Sequence, residues 1–268
     1  MFISHKYKVI FVHVQRTGGN SIHKLFQESD PDLVETLPVT PSLKGAKHCF
    51  LTDIRDAIDG DIFNGYLKFC VARHPVTRMI SWHLKLKEGR NKDDTPVKPG
   101  SGDKPLRIYI QGVKFLQRIA FLKNERVINC WRNCIKSLNY FESDSRGAFA
   151  MMGADIGYKV IKEVHKNAKN FDEFINLPKN HESGLFKRFH FNQFDYISDD
   201  GVLLADRILK FENIDSDFQR LSKEIGLEGK LPHLNKSGAK KKETCSKETK
   251  KIIFKRFEKD FKYFGYQL

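Results

Sequence analysis

Two stretches of this chain join a β-branched apolar run to a helical pattern through a short polar turn, and that repeated unit narrows the folds open to it. Residues 7–14 (YKVIFVHV) are nearly all apolar and do not alternate with polar residues. This is the mark of a strand covered on both faces in a parallel sheet. Residues 15–20 (QRTGGN) form a turn, and Ser21 then opens SIHKLFQES, with Ile22, Leu25 and Phe26 on one helical face. A second unit repeats the order: residues 67–72 (LKFCVA) as strand, 73–75 as turn and 76–87 as helix. Pro75 suits the helix entry, because the N–H it lacks has no partner there anyway. The prediction is an α/β fold, a central parallel sheet flanked by helices.

The rest of the chain fits around these units. Residues 88–105 (EGRNKDDTPVKPGSGDKP) carry the Gly, Pro, Lys and Asp of a loop, and residues 106–180 read as mostly helical. A late strand is expected within 203–211 (LLADRILKF), followed by amphipathic helices over 214–225 and 247–264. The last of these carries Ile252, Ile253, Phe257, Phe261 and Phe264 on its apolar side. Neither an internal repeat nor a linker interrupts the 268 residues, so they are expected to form a single domain, 1–268. Cys130 and Cys134 stand at helical spacing with no matching second pair, which favours core packing over metal binding. Five scattered cysteines, no leader pattern and no apolar run near the roughly 20 residues of a membrane span lead to the expectation of a cytoplasmic protein.

The formal net charge is +14, and such an excess draws anions of every class: nucleic acid, acidic polysaccharide, membrane surface or phosphorylated cofactor. A solvated lysine-rich surface accounts for the charge equally well. The first turn is more informative. In Gln15-Arg16-Thr17-Gly18-Gly19-Asn20-Ser21, glycines admit a close approach of backbone N–H groups to an anion, and the helix start adds donors and partial positive charge. Arg16 adds a permanent cation and Ser21 a hydroxyl. Residue by residue, a phosphate site and an ordinary turn capped by Ser21 are equally open. A nucleoside triphosphatase loop needs G-x-x-x-x-G-K-[ST]; here Gly18 and Gly19 are adjacent and no Gly-Lys-Ser/Thr follows. That speaks against a small-molecule kinase using ATP and magnesium.

The second turn reads FCVARHPVTRMISWH over 69–83, with Arg73, Arg78 and Ser81 at the strand end, in the turn and on the helix. Guanidinium and hydroxyl groups at a sheet's C-terminal edge make a phosphate clamp. Together the two turns resemble those of the sulfotransferases that use 3′-phosphoadenosine 5′-phosphosulfate (PAPS), in the branch of the heparan sulfate O-sulfotransferases and their bacterial relatives. VHVQRTGGNSI resembles that family's loop for the 5′-phosphosulfate, and ARHPVTRMIS its Arg-x-Pro-x-x-Arg-x-x-Ser element for the 3′-phosphate. Lys47-His48 followed by LTDIRDAI is similar to the segment with the catalytic histidine. HFNQFDYI (190–197), KFEN (210–213), LPHLNKS (231–237) and the terminal FEKDFKYFGY resemble later landmarks. The likeness fades across 88–160, which is then expected to be a variable, mostly helical insertion shaping the acceptor site.

The resemblance implies a P-loop-like sulfotransferase fold and transfer of a sulfuryl group from PAPS to a hydroxyl of a carbohydrate or polysaccharide acceptor, without a metal. It assigns His48 as general base. It assigns Arg16, Thr17, Gly18, Gly19, Asn20 and Ser21 to the 5′ group, Arg73 and Ser81 to the 3′-phosphate, and Lys236 and Ser237 to a loop over that phosphate. The family usually has Lys where this chain has Arg16; Arg keeps the charge but does not shed a proton, so its expected role is electrostatic. His13, beside the loop, is the next candidate base. The alternative of a nucleic-acid-binding module draws on the charge and on Lys240, Lys241 and Lys242, but no base-reading signature accompanies them, so no specific nucleic-acid partner is expected.

Overall fold

The computed structural model describes residues 1–35, 37, 48–88, 154–232 and 245–268. The expected loop beyond residue 88, the helical stretch up to residue 153, the Cys130 and Cys134 pair, and Lys236 and Ser237 lie outside the described residues. Four strands make the main sheet: β1 (Phe2–Ser4), β2 (Val9–Val12), β3 (Leu67–Ala72) and, late in the chain, Arg207–Lys210. The last is β6, because a small antiparallel pair, β4 (Ser198–Asp199) and β5 (Val202–Leu203), precedes it. The order is β1-β2-β3-β6. β2, β3 and β6 run parallel, and β1 lies antiparallel on β2.

The two expected strand–turn–helix units are present. Helix α1 (Gly19–Ser29) follows β2, and α4 (Pro75–Glu88) follows β3, with α2 (Leu51–Arg55) and α3 (Gly60–Gly65) between them. Downstream come α5 (Ala154–Asn167), α6 (Phe171–Ile175), α7 (Ile214–Ile225), α8 (Lys247–Arg256) and α9 (Glu258–Phe264). Burial on both faces explains the unbroken apolar runs of the strands. Val9 and Phe11 point into a layer with Phe26, Phe69 and Leu221, under α1 and α7. Ile10 and Val12 point the other way, to Leu51, Ile54, Tyr196 and Phe264. Phe2, Phe11, Phe26 and Phe69 meet ring to ring, Phe2 and Phe26 with centroids 4.5 Å apart, which accounts for part of the phenylalanine content.

Two expectations are corrected, and one strand is added. The first strand is shorter than residues 7–14: Lys8 takes a left-handed φ of 51° in the tight turn from β1, and the chain leaves the ladder after Val12. The three-residue edge strand β1 lay within the N-terminal run with no turn signature to separate it. The helix expected over 247–264 is two helices that turn at Phe257 (φ −110°, ψ 32°). The turn lets one segment serve two cores: Ile253 and Phe257 pack with the α4–α6 cluster, and Phe264 packs under the sheet.

Burial pulls the His190 imidazole down to about 4, with the charge of Arg256 adding to it, and Nε2 donates to the Leu177 carbonyl at 2.9 Å. An unfolded chain takes up that proton from about pH 6.5 downward. Between there and about 4 the unfolded state holds more protons, so the His190 contribution is complete above the unfolded value and is lost as pH falls. Melting curves from neutral pH down to about pH 4 are expected to fall more steeply for the wild type than for His190→Gln, which keeps a donor for Leu177. Parallel slopes would remove His190 as the cause.

Candidate functional site

Parallel pairing sends the C-terminal ends of β2, β3 and β6 to one edge of the sheet. Val12 pairs with Cys70, and Ala72 pairs with Lys210. The segments that follow, 13–18, 73–75 and 211–213, therefore meet beside the starts of α1 and α4. This edge is where open α/β sheets offer a crevice to ligands.

The first turn is shaped by two left-handed residues, Arg16 (φ 66°) and Gly18 (φ 86°). The Thr17 hydroxyl donates to the Val14 carbonyl at 2.9 Å, and Ser21 N–H donates to the Gly18 carbonyl at 3.1 Å. The helix begins at Gly19, with Gly18 at its cap and no side-chain cap bond. Ser21 is therefore a buried first-turn residue rather than the cap. With Thr17 turned inward and Asn20 exposed, the loop's offering to an anion is mainly backbone N–H. Both glycines are required by space. A Cβ on Gly18 would lie 2.8 Å from the Phe211 ring, and one on Gly19 would lie 2.5 Å from the His13 ring.

The second turn reaches across to the first. Arg16 Nη2 donates to the Ser81 hydroxyl at 2.9 Å and to its carbonyl at 3.1 Å, and the Arg16 guanidinium lies 5.9 Å from the centre of the Trp82 ring. Arg73 Nη1 donates to the Arg16 carbonyl at 3.3 Å and Nε to Thr77 Oγ1 at 3.2 Å, with the guanidinium 4.2 Å over Phe211. Burial, then the neighbouring charge of Arg16, lowers Arg73 to about 10. An anion between the two cations relieves that repulsion, so Arg16, Arg73 and Ser81 fit a phosphate or sulfate ester. Arg78 is different. It is 1% exposed and donates to the carbonyls of Gln15 (3.1 Å) and Phe191 (3.0 Å), tying loop to core rather than facing a ligand. Burial lowers its pKa against the raising influence of Asp260.

His48 reaches the same edge just before α2. Its Nδ1 lies 2.7 Å from the His13 carbonyl, which only accepts, so Nδ1 carries the proton and Nε2 is the basic nitrogen of the neutral ring. The rings of His13 and His48 meet edge to face, 4.7 Å between centroids. Sequence reasoning passed over three residues that the fold brings here. Phe211 packs on Gly18 and Arg73. Gln193 bonds the backbone of Arg73 (Arg73 N–H to Oε1 2.9 Å, Nε2 to Arg73 O 2.8 Å). Glu212 accepts the His74 N–H at 2.8 Å. Each lies in a stretch already set apart, HFNQFDYI or KFEN, yet its partner is more than a hundred residues away in sequence.

Among the described residues, no group of three or more His, Cys, Asp or Glu side chains is gathered to hold a metal ion, and no helix is long and apolar enough to cross a membrane. Substituting the glycines tests the loop geometry. Gly18→Ala forces a side chain into the left-handed region, at about 1–2 kcal/mol, and displaces Phe211; Gly19→Ala displaces His13. Chemical denaturation is expected to show both variants less stable than wild type, and unchanged midpoints would contradict the close approach. The sequence matches a protein-family model described as "Sulfotransferase family" over residues 1–267. No curated protein and no solved structure matches it.

Proposed function

The chain belongs to the sulfotransferase family, a family of enzymes that transfer sulfuryl groups, and from that premise we propose that it takes the group from PAPS and passes it to a hydroxyl of a carbohydrate acceptor. The observation that carries the reading is the meeting of Arg16, Arg73 and Ser81 at one sheet edge, beside the start of α1. Two cations and a hydroxyl are more than one ester needs, and PAPS bears anionic groups at both ends of its ribose. In this proposal the loop 15–21 serves as a P-loop-like cradle for the 5′ group. Arg73 and Ser81 take the 3′-phosphate, with Lys236 and Ser237, outside the described residues, as its further partners.

PAPS supplies an activated sulfuryl group whose leaving oxygen becomes the 5′-phosphate of the product. The chain's own task is then twofold. His48 Nε2 takes the proton from the acceptor hydroxyl as its oxygen bonds to sulfur, its tautomer held by the His13 carbonyl. Arg16 and the loop amides hold the negative charge that grows on the leaving oxygen as its bond to sulfur breaks. Removing one such donor typically costs about 2.7–4 kcal/mol of barrier. Arg16 holds that charge as a fixed cation, without the proton exchange open to a lysine. The excess of +14 favours an acidic acceptor, such as a charged polysaccharide, by raising its local concentration.

Two measurements test the reading. The desulfated product, 3′-phosphoadenosine 5′-phosphate (PAP), is expected to raise the melting temperature without added metal, and ATP with magnesium to raise it much less. Equal or greater protection by ATP–magnesium would replace the proposal with a kinase. On a verified acceptor, His48→Ala is expected to cut turnover by roughly 10²–10⁴ while PAP affinity stays near wild type. Arg16→Ala is expected to lower turnover and weaken PAPS together. Near-normal turnover in His48→Ala would transfer the base to another residue, His13 first.

A further inference from the structure

Three of the stretches set apart in the sequence, HFNQFDYI, KFEN and FEKDFKYFGY, converge on two peptide units, those of Arg73 and His74. The ladder between β3 and β6 ends at the pair Ala72 and Lys210, so the backbone groups just beyond it have no strand neighbour in that register. Side chains take its place. Gln193 Oε1 accepts the Arg73 N–H at 2.9 Å and its Nε2 donates to the Arg73 carbonyl at 2.8 Å, the pair of bonds a neighbouring peptide would make. The amide is only 1% exposed. Its Nε2 also donates to Asp260 Oδ2 at 3.0 Å, while Asp260 Oδ1 accepts the Phe194 N–H at 2.9 Å. A carboxylate facing the nitrogen fixes which end of the amide meets the Arg73 N–H. On the other side, Glu212 Oε1 accepts the His74 N–H at 2.8 Å and Oε2 accepts the Tyr266 hydroxyl at 3.1 Å.

We infer that Gln193 and Glu212 are positioning residues for Arg73: they hold its backbone at the strand end so that its guanidinium stands where a 3′-phosphate is read. The inference rests on the proposed role of Arg73. Its physical basis is leverage. A guanidinium sits at the end of a long side chain, so a small shift of the peptide moves the donor fork off its target. Phe211 and the Arg16 carbonyl guide the side chain, whereas Gln193 and Glu212 grip the peptide groups on either side of its Cα. A purely structural role would lower stability and weaken all nucleotides alike. A positioning role lowers the preference for ligands that carry the 3′-phosphate.

The test compares binding of PAP and adenosine 5′-monophosphate, which differ only in that phosphate, by calorimetry on the full chain. The wild type is expected to prefer PAP, and Arg73→Ala to lose the preference. Gln193→Ala and Glu212→Ala are each expected to reduce it by at least about tenfold, the loss of roughly one good hydrogen bond, while monophosphate affinity stays within about twofold. Gln193→Glu keeps an acceptor but loses the donor and sets a second carboxylate against Asp260, so it is expected not to restore the preference. Combined with Arg73→Ala, neither substitution is expected to lower the preference further. Should Gln193→Ala fail to fold, Glu212→Ala, on an exposed side chain, decides the matter alone. A wild type without preference for PAP overturns the reading of Arg73 and the inference with it. A wild-type preference lost in Arg73→Ala but intact in the Gln193 and Glu212 variants overturns the inference alone.

Discussion

The parallel ladder between β2, β3 and β6 is the constraint on which the rest depends. Parallel strands end on the same side, so three segments distant in sequence are delivered to one edge by backbone hydrogen bonds alone. The contacts at this edge follow from that delivery: Arg16 meets Ser81, Arg73 meets the Arg16 carbonyl, and the Phe211 ring closes on Gly18. The apolar faces of the strands make the ladder rigid. The layer around Phe26 and Phe69 on one side and the layer around Ile54 and Tyr196 on the other leave the strands no freedom to slide.

Three arginines within this frame show how depth sorts one side chain into different tasks. Arg78, fully enclosed, donates through Nε and Nη1 to main-chain carbonyls and works as a rivet. Arg73, partly enclosed, is lowered by burial and by a neighbouring cation, the electrostatic condition under which an anion is most welcome. Arg16 carries a left-handed backbone and bonds the hydroxyl of Ser81 on α4. Asp260, buried beside Arg78 and pushed up by desolvation, steers the amide of Gln193.

Much of this was legible in the residues because local chemistry and global fold agree. Continuous apolar runs gave away strands covered on both faces, Pro75 marked the start of α4, and the amphipathic pattern over 214–225 became a helix with those bounds. Elements built on few residues were not legible: β1 has three, and the turn at Phe257 has no Gly or Pro to announce it. Nor was the support of the site. Gln193 and Glu212 are ordinary polar residues whose significance comes from tertiary approach, and no periodicity encodes which peptide an amide will grip. Arg78 stood with Arg73 and Ser81 as a group of a phosphate clamp, but the fold buries it against the carbonyls of Gln15 and Phe191 instead.

The closeness of Gly19 to the His13 ring has an evolutionary side. With 2.5 Å between that ring and the place of a missing methyl, positions 13 and 19 do not drift independently. A side chain larger than hydrogen at position 19 must displace the His13 ring or meet a smaller residue there. Shrinking residue 13 removes the ring that packs against His48. A change that is trivial on paper, one glycine to one alanine, therefore reaches through His13 to the packing of His48.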